Sequence, residues 1–130
     1  MSTPISEIMT TPVLTVDPDT HLGEIADAML EKEIKSIAAI DEDCVPVGIL
    51  TSTDFIKVVS DSQSGSELTV RNYMTTDVVT VTPEKSVQEA ASTMVTNGIS
   101  HLPVTESGDV VGIVTATDIA SYVSDDMVDI

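Results

Sequence analysis

The chain repeats itself. Met-Thr-Thr at positions 9–11 returns at 74–76, an offset of 65, and the match continues along both copies. At that offset Val13, Thr15, Val16, Pro18, Glu24, Ala26, Met29 and Ile34 meet identical residues at Val78, Thr80, Val81, Pro83, Glu89, Ala91, Met94 and Ile99. Beyond Asp41 the offset falls to 64, so the second copy is one residue shorter in its loop. Gly48-Ile49-Leu50-Thr51-Ser52-Thr53-Asp54 then aligns with Gly112-Ile113-Val114-Thr115-Ala116-Thr117-Asp118. A unit written twice restricts the fold to two copies of one small supersecondary structure, neither able to bury its apolar face alone. The repeats occupy 1–60 and 70–130, with the pattern itself over 5–60 and 70–124. Residues 61–69, which include Ser-Gln-Ser-Gly-Ser, are small and polar and read as a linker.

Each unit predicts the same order of elements. Val13–Val16 reads as a short strand, and Pro18 interrupts it before a helix. In that helix Leu22, Ile25, Ala26, Met29 and Leu30 form an apolar stripe, repeated by Val87, Ala90, Ala91, Met94 and Val95. Ser86 and Glu89 have the spacing of a capping box and mark the second copy's helix start. Strands follow at 36–40 and 45–50, joined by the turn residues Asp41-Glu42-Asp43, and a second helix begins after Thr51. The expectation is an α+β fold in which two β-α-β-β-α units pack about a pseudo-twofold axis.

Composition narrows the function. With 42% hydrophobic residues the chain can bury a core, yet it holds no Trp, two Tyr and one Phe, so platforms for stacking nucleic-acid bases are lacking. Twenty-two acidic residues against five basic ones give a formal charge of −17, which repels a phosphate backbone and an anionic membrane surface alike. No nucleic-acid or membrane partner is expected. Such an excess of carboxylates resembles the cytoplasmic proteins of salt-accumulating halophiles; an ordinary acidic domain that pairs with a basic partner, or is fused to one in relatives, is the alternative. Cys44 is the single cysteine, so no internal disulfide forms, and no Cys/His cluster offers a metal site. The N-terminus lacks a basic and apolar leader and no apolar run is long enough to span a bilayer, which points to the cytoplasm.

Three stretches carry a resemblance to a known family: Met74-Thr75-Thr76 with Val79-Thr80-Val81, then Gly98-Ile99-Ser100-His101-Leu102-Pro103-Val104, then Gly112–Ile119. They resemble the CBS domain, named after cystathionine β-synthase, and the doubled pattern covers nearly the whole chain. The resemblance implies a paired regulatory module that binds AMP, ADP, ATP, S-adenosylmethionine or a similar adenosyl ligand in the cleft between repeats, and that dimerises. In that reading Asp118 accepts hydrogen bonds from a ribose diol. Thr115 and Thr117, where strand becomes helix, hold a phosphate or carboxylate. The adenine edge meets backbone near Thr80 and along Ile99, Ser100 and His101, with Pro103 closing the motif. His101 stands where the family often has a phosphate-facing residue; a hydrogen-bonded structural role suits it equally. The first repeat retains Thr51, Thr53 and Asp54 but departs elsewhere: Glu33 replaces the glycine matched by Gly98, Ala38 replaces Pro103, and Ser36 takes the His101 position. Lys35, aligned with Ser100, is a candidate phosphate contact or simply a solvated lysine.

A plain alternative exists for the Thr-x-Thr-Asp pairs, since Thr and Asp are favoured at helix N-termini whatever the function. Three functions follow. The first is a ligand sensor signalling to a separate, unknown effector protein. A ligand-free adaptor that dimerises is the second. An enzyme is the third and is disfavoured, because two histidines and one cysteine assemble no nucleophilic or metal-binding set.

Overall fold

A computed structural model describes residues 3–61 and 67–128, with side chains to Asp125. It resolves into two compact units, one formed by residues 1–13 with 79–130 and the other by residues 14–78.

The unit over 14–78 contains strand β1 (Thr15–Val16), helix α1 (Leu22–Lys32), strands β2 (Ser36–Ile40) and β3 (Pro46–Thr51), helix α2 (Ser52–Ser60) and the short helix α3 (Val70–Tyr73). Its sheet runs β1-β2-β3, the first pair parallel and the second antiparallel. Leu22, Ile25 and Met29 of the apolar stripe are buried with Ile37, Ala39, Leu50, Val58 and Val70, whereas Leu30, on the stripe's edge, is exposed.

The unit built on 79–130 contains helix α4 (Val87–Asn97), strands β4 (His101–Glu106) and β5 (Asp109–Thr115) and helix α5 (Ala116–Val128), with a single turn of 3-10 helix at Ile5–Glu7. Its β4-β5 hairpin is antiparallel. The strand expected by analogy with β1 shrinks to one parallel bridge, Val81 with Val104. The core gathers Ile5, Val81, Ala90, Met94, Leu102, Val104 and Val114. Ser86 caps α4 as the spacing predicts, its Oγ accepting the Glu89 N–H at 3.0 Å.

Each unit takes its first buried element from the start of the other sequence repeat. Ile5 enters the core with Val81 and Leu102, and its N–H donates to the Lys85 carbonyl at 2.8 Å. Val70, its counterpart 65 residues on, enters the core with Leu22 and Leu50 and donates to the Thr20 carbonyl at 2.9 Å. The same correspondence holds at the bridges Pro4–Ser86 and His21–Thr69 and again at Thr10–Ile113 and Ile49–Thr75. The compact units therefore cut the chain at different places from the sequence repeats.

Two glycines make this docking possible. A Cβ on Gly112 would lie 2.7 Å from the Met9 sulfur and 3.3 Å from the Thr10 carbonyl oxygen, and a Cβ on Gly48 would meet the Met74 side chain. The repeated Met and the repeated Gly are thus partners, the thioether lying where any side chain would stand. Both helices α1 and α4 end in a left-handed residue, Glu33 at φ 55° and Gly98 at φ 64°. Glu33 adopts there the conformation that glycine adopts without strain.

Candidate functional site

Antiparallel pairing places the predicted residues of the second repeat at one end of the β4-β5 hairpin. His101 is the register partner of Thr115, and the Ala116 N–H donates to the Ser100 carbonyl at 2.9 Å. The entry to β4 and the exit from β5 into α5 are therefore side by side. The first repeat is built alike: Ser36 pairs with Thr51, and the Ser52 N–H donates to the Lys35 carbonyl at 2.9 Å.

Thr115 and Asp118 cap α5 reciprocally. The Thr115 Oγ1 accepts the Asp118 N–H at 3.1 Å, and the Asp118 carboxylate accepts the Thr115 N–H at 2.9 Å. Thr51 and Asp54 form the corresponding box on α2, with the Thr51 N–H 2.8 Å from Asp54 Oδ2. The capping role foreseen for these pairs is thus present in both units, and it consumes only part of each carboxylate's capacity. The remainder is used differently. Asp54 is buried and its Oδ1 lies 3.6 Å from Lys57 Nζ. Asp118 is half-buried, has no ion pair among the described residues, and receives the Thr10 hydroxyl at 3.1 Å from each carboxylate oxygen. Thr53 and Thr117, one residue before the aspartates, are exposed.

Three of the other predicted residues, Ile99, Ser100 and Thr80, line two hollows on the same unit. Ile99 and Ser100 line one of about 420 Å³ with Ala91, Met94, Val95, Gly98, Ala116 and Ile119, a nearly all-aliphatic surface. Thr80 lines the other, about 340 Å³, with Val81, Thr82, Lys85, Glu89 and Thr93. Beside it the Thr82 hydroxyl donates to Glu84 at 2.7 Å and holds that carboxyl below its ordinary range. Pro103 is fully buried, and its carbonyl accepts the Val81 N–H at 3.1 Å, so its ring belongs to the core and its backbone positions the segment carrying Thr80. His101 is half-buried.

Cations are scarce. Lys57, Arg71 and Lys85 are each paired with a carboxylate, Asp54, Asp19 and Glu89 respectively. Lys35 is exposed immediately before β2 and has no ion pair among the described residues. Among the described residues no three His, Cys, Asp or Glu side chains come together to hold a metal ion, and no helix is long and apolar enough to cross a membrane.

Thr10 is the residue the sequence reading passed over. Its signal was present in the repeated Met-Thr-Thr, but nothing in the pattern says that a segment at position 10 reaches position 118.

The sequence profile of the CBS domain matches residues 5–61 and 70–125. An uncharacterised 17.7 kDa protein of Acidianus ambivalens is 38% identical over 126 residues, which is 96% of this chain and 76% of that one. A homoserine O-acetyltransferase of Methanohalobium evestigatum is 32% identical over 122 residues, 93% of this chain but 24% of the enzyme. Across four curated relatives the chain spans from 24% to 76% of their length. Among solved structures, the CBS domain pair of protein MJ0100, in complex with 5′-methylthioadenosine and S-adenosyl-L-methionine, superposes with a TM-score of 0.88 at 28% identity, covering 97% of this chain and 99% of that one.

Proposed function

Since this chain belongs to the CBS-domain family and carries two CBS domains, we propose that it is a regulatory module that senses an adenosyl ligand and passes the signal to a partner protein. The observation that carries the reading is the Asp118 corner. A half-exposed carboxylate, fixed at the first turn of α5 by Thr115 and free of any described cation, is met on its outer side by one exposed side-chain hydroxyl, Thr10, which a ribose diol can replace. The aliphatic hollow beside Ile99 and Ser100 falls within the ordinary volume range of small-molecule sites and offers the flat apolar surface that a purine face prefers. The MJ0100 pair, bound to two adenosyl compounds, supports the ligand class.

Charge orders the ligands. A chain at −17 with one unpaired lysine near a candidate site favours an adenosyl compound of low negative charge, AMP or S-adenosylmethionine, over ADP or ATP. Calorimetric titration of wild-type protein and Asp118→Asn at matched salt tests the ribose contact. Asparagine keeps an oxygen for the cap but loses the charge, and affinity falls by about tenfold or more, as for a hydrogen bond to a charged group. Equal affinity refutes the assignment.

The homodimer is a proposal of its own. Leu30 and Val59 in one unit and Val123 in the other are exposed aliphatic residues on helices, and a second copy of the chain would cover them. Light scattering at tens of micromolar reads a dimer mass; a monomer contradicts it.

A further inference from the structure

The two equivalent carboxylates are held by different chemistry. Asp54 is closed by a cation, Lys57, three residues on in the same helix. At the matching position beside Asp118 the chain has Ser121, and the donor comes from elsewhere: the Thr10 hydroxyl. The backbone holding that threonine is common to both units. Thr10 and Ile113 exchange N–H to carbonyl bonds at 2.7 and 3.2 Å, and Thr75 and Ile49 do so at 2.8 and 3.0 Å. Among the described residues the hydroxyl meets the carboxylate at position 10 and not at position 75.

A hydroxyl 3.1 Å from both oxygens of a carboxylate is equidistant from them and stands before the pair. That is also where two vicinal hydroxyls chelate a carboxylate, one to each oxygen. Both arrangements use the same lone pairs, so they exclude one another.

We propose that Thr10 is an intramolecular competitor for the ribose site: its hydroxyl stands in for the diol on Asp118, and a ribose-bearing ligand binds by turning it aside. The proposal rests on Asp118 being the ribose acceptor. Displacement is local, because Thr10 is exposed, its hydroxyl can turn to water, and its backbone bonds to Ile113 need not break. A ligand with a single hydroxyl needs one oxygen only and leaves Thr10 on the other. Thr10 therefore lowers affinity for diols specifically and narrows the preference that the carboxylate alone would give a diol over a single hydroxyl.

The test is calorimetric titration of the full chain with adenosine and with 2′-deoxyadenosine, for wild-type protein and for Thr10→Val, Thr10→Ala, Thr10→Ser, Thr75→Val and Asp118→Asn, each checked for folding by thermal unfolding. Thr10→Val, nearly isosteric, tightens adenosine binding about three- to tenfold, the range of one net hydrogen bond. Its effect on 2′-deoxyadenosine stays under about twofold by the same reasoning. Thr10→Ala reproduces the gain should valine disturb the fold, Thr10→Ser restores wild-type affinity, and Thr75→Val leaves it unchanged. Unchanged or weaker adenosine binding by both Thr10→Val and Thr10→Ala overturns the competition; a simultaneous loss in Asp118→Asn leaves the ribose assignment standing. Where Asp118→Asn binds as wild type does, or where no protein binds adenosine, the ribose assignment falls and the competition with it.

Discussion

Truncating Ile5 tests the most unexpected feature of the fold, the contribution of the extreme N-terminal segment to the core built on the second repeat. Ile5 has no solvent exposure and lies among Val81, Ala90, Met94, Leu102, Val104 and Val114. Ile5→Ala removes three methyl or methylene carbons from that core, worth about 2.4 kcal/mol at roughly 0.8 kcal/mol each. The cavity left behind brings the range for such changes to about 2–5 kcal/mol. Relaxation of the segment into the cavity would keep the value near the bottom, but the 2.8 Å bond from Ile5 N–H to Lys85 and the 3.1 Å bond from Ser6 N–H to Pro83 hold it in place. We expect about 3 kcal/mol, a large share of the roughly 5–15 kcal/mol that stabilises a typical domain. Val70→Ala, the pseudo-equivalent truncation, loses two carbons and costs about 1.5–3 kcal/mol. Urea unfolding followed by circular dichroism measures both, with a lower midpoint and an unchanged slope as the signature of lost packing. A loss under about 0.5 kcal/mol for Ile5→Ala, the level of a surface substitution, refutes the docking of this segment.

Glu33 supplies a second test. It is exposed and left-handed at the end of α1, so Glu33→Gly relieves the Cβ penalty and stabilises the protein by about 0.5–1 kcal/mol, against a loss if the residue were helical. The acidic surface, proposed as a salt adaptation, predicts that the melting temperature rises with potassium chloride, because repulsion among exposed carboxylates is screened over about 10 Å at roughly 0.1 M. A melting temperature flat from low to multimolar salt contradicts that adaptation.

Much of the fold was legible because the repeat repeats its physics. Periodicity alone found α1 and α4 and their buried residues Leu22, Ile25, Met29, Val87, Ala90 and Met94. Ser36–Ile40 came out as expected, and β3 shifted by one residue to Pro46–Thr51. What stayed hidden was non-local. Periodicity describes an element's face but not its partner, so the burial of Ile5 and Val70 and the Met9–Gly112 and Met74–Gly48 contacts had no local signature. Within the site, the residues at the strand-to-helix junctions were readable because Thr-x-x-Asp has a local capping logic. The difference between Asp54 and Asp118 was not, since one is set by Lys57 in the same helix and the other by Thr10, 108 residues away. Pro103 shows the reverse: a residue marked by the family motif that the fold uses to build the core.

The proposed binding of an adenosyl ligand of low charge is open to direct measurement. Calorimetric titration of the full chain with AMP, S-adenosylmethionine and ATP, each at the same salt concentration and without Mg²⁺, tests it most directly. Saturable binding of AMP or S-adenosylmethionine, with ATP weaker, is the expected result. No heat and no thermal stabilisation with any of the three contradicts it, and leaves a structural adaptor in its place.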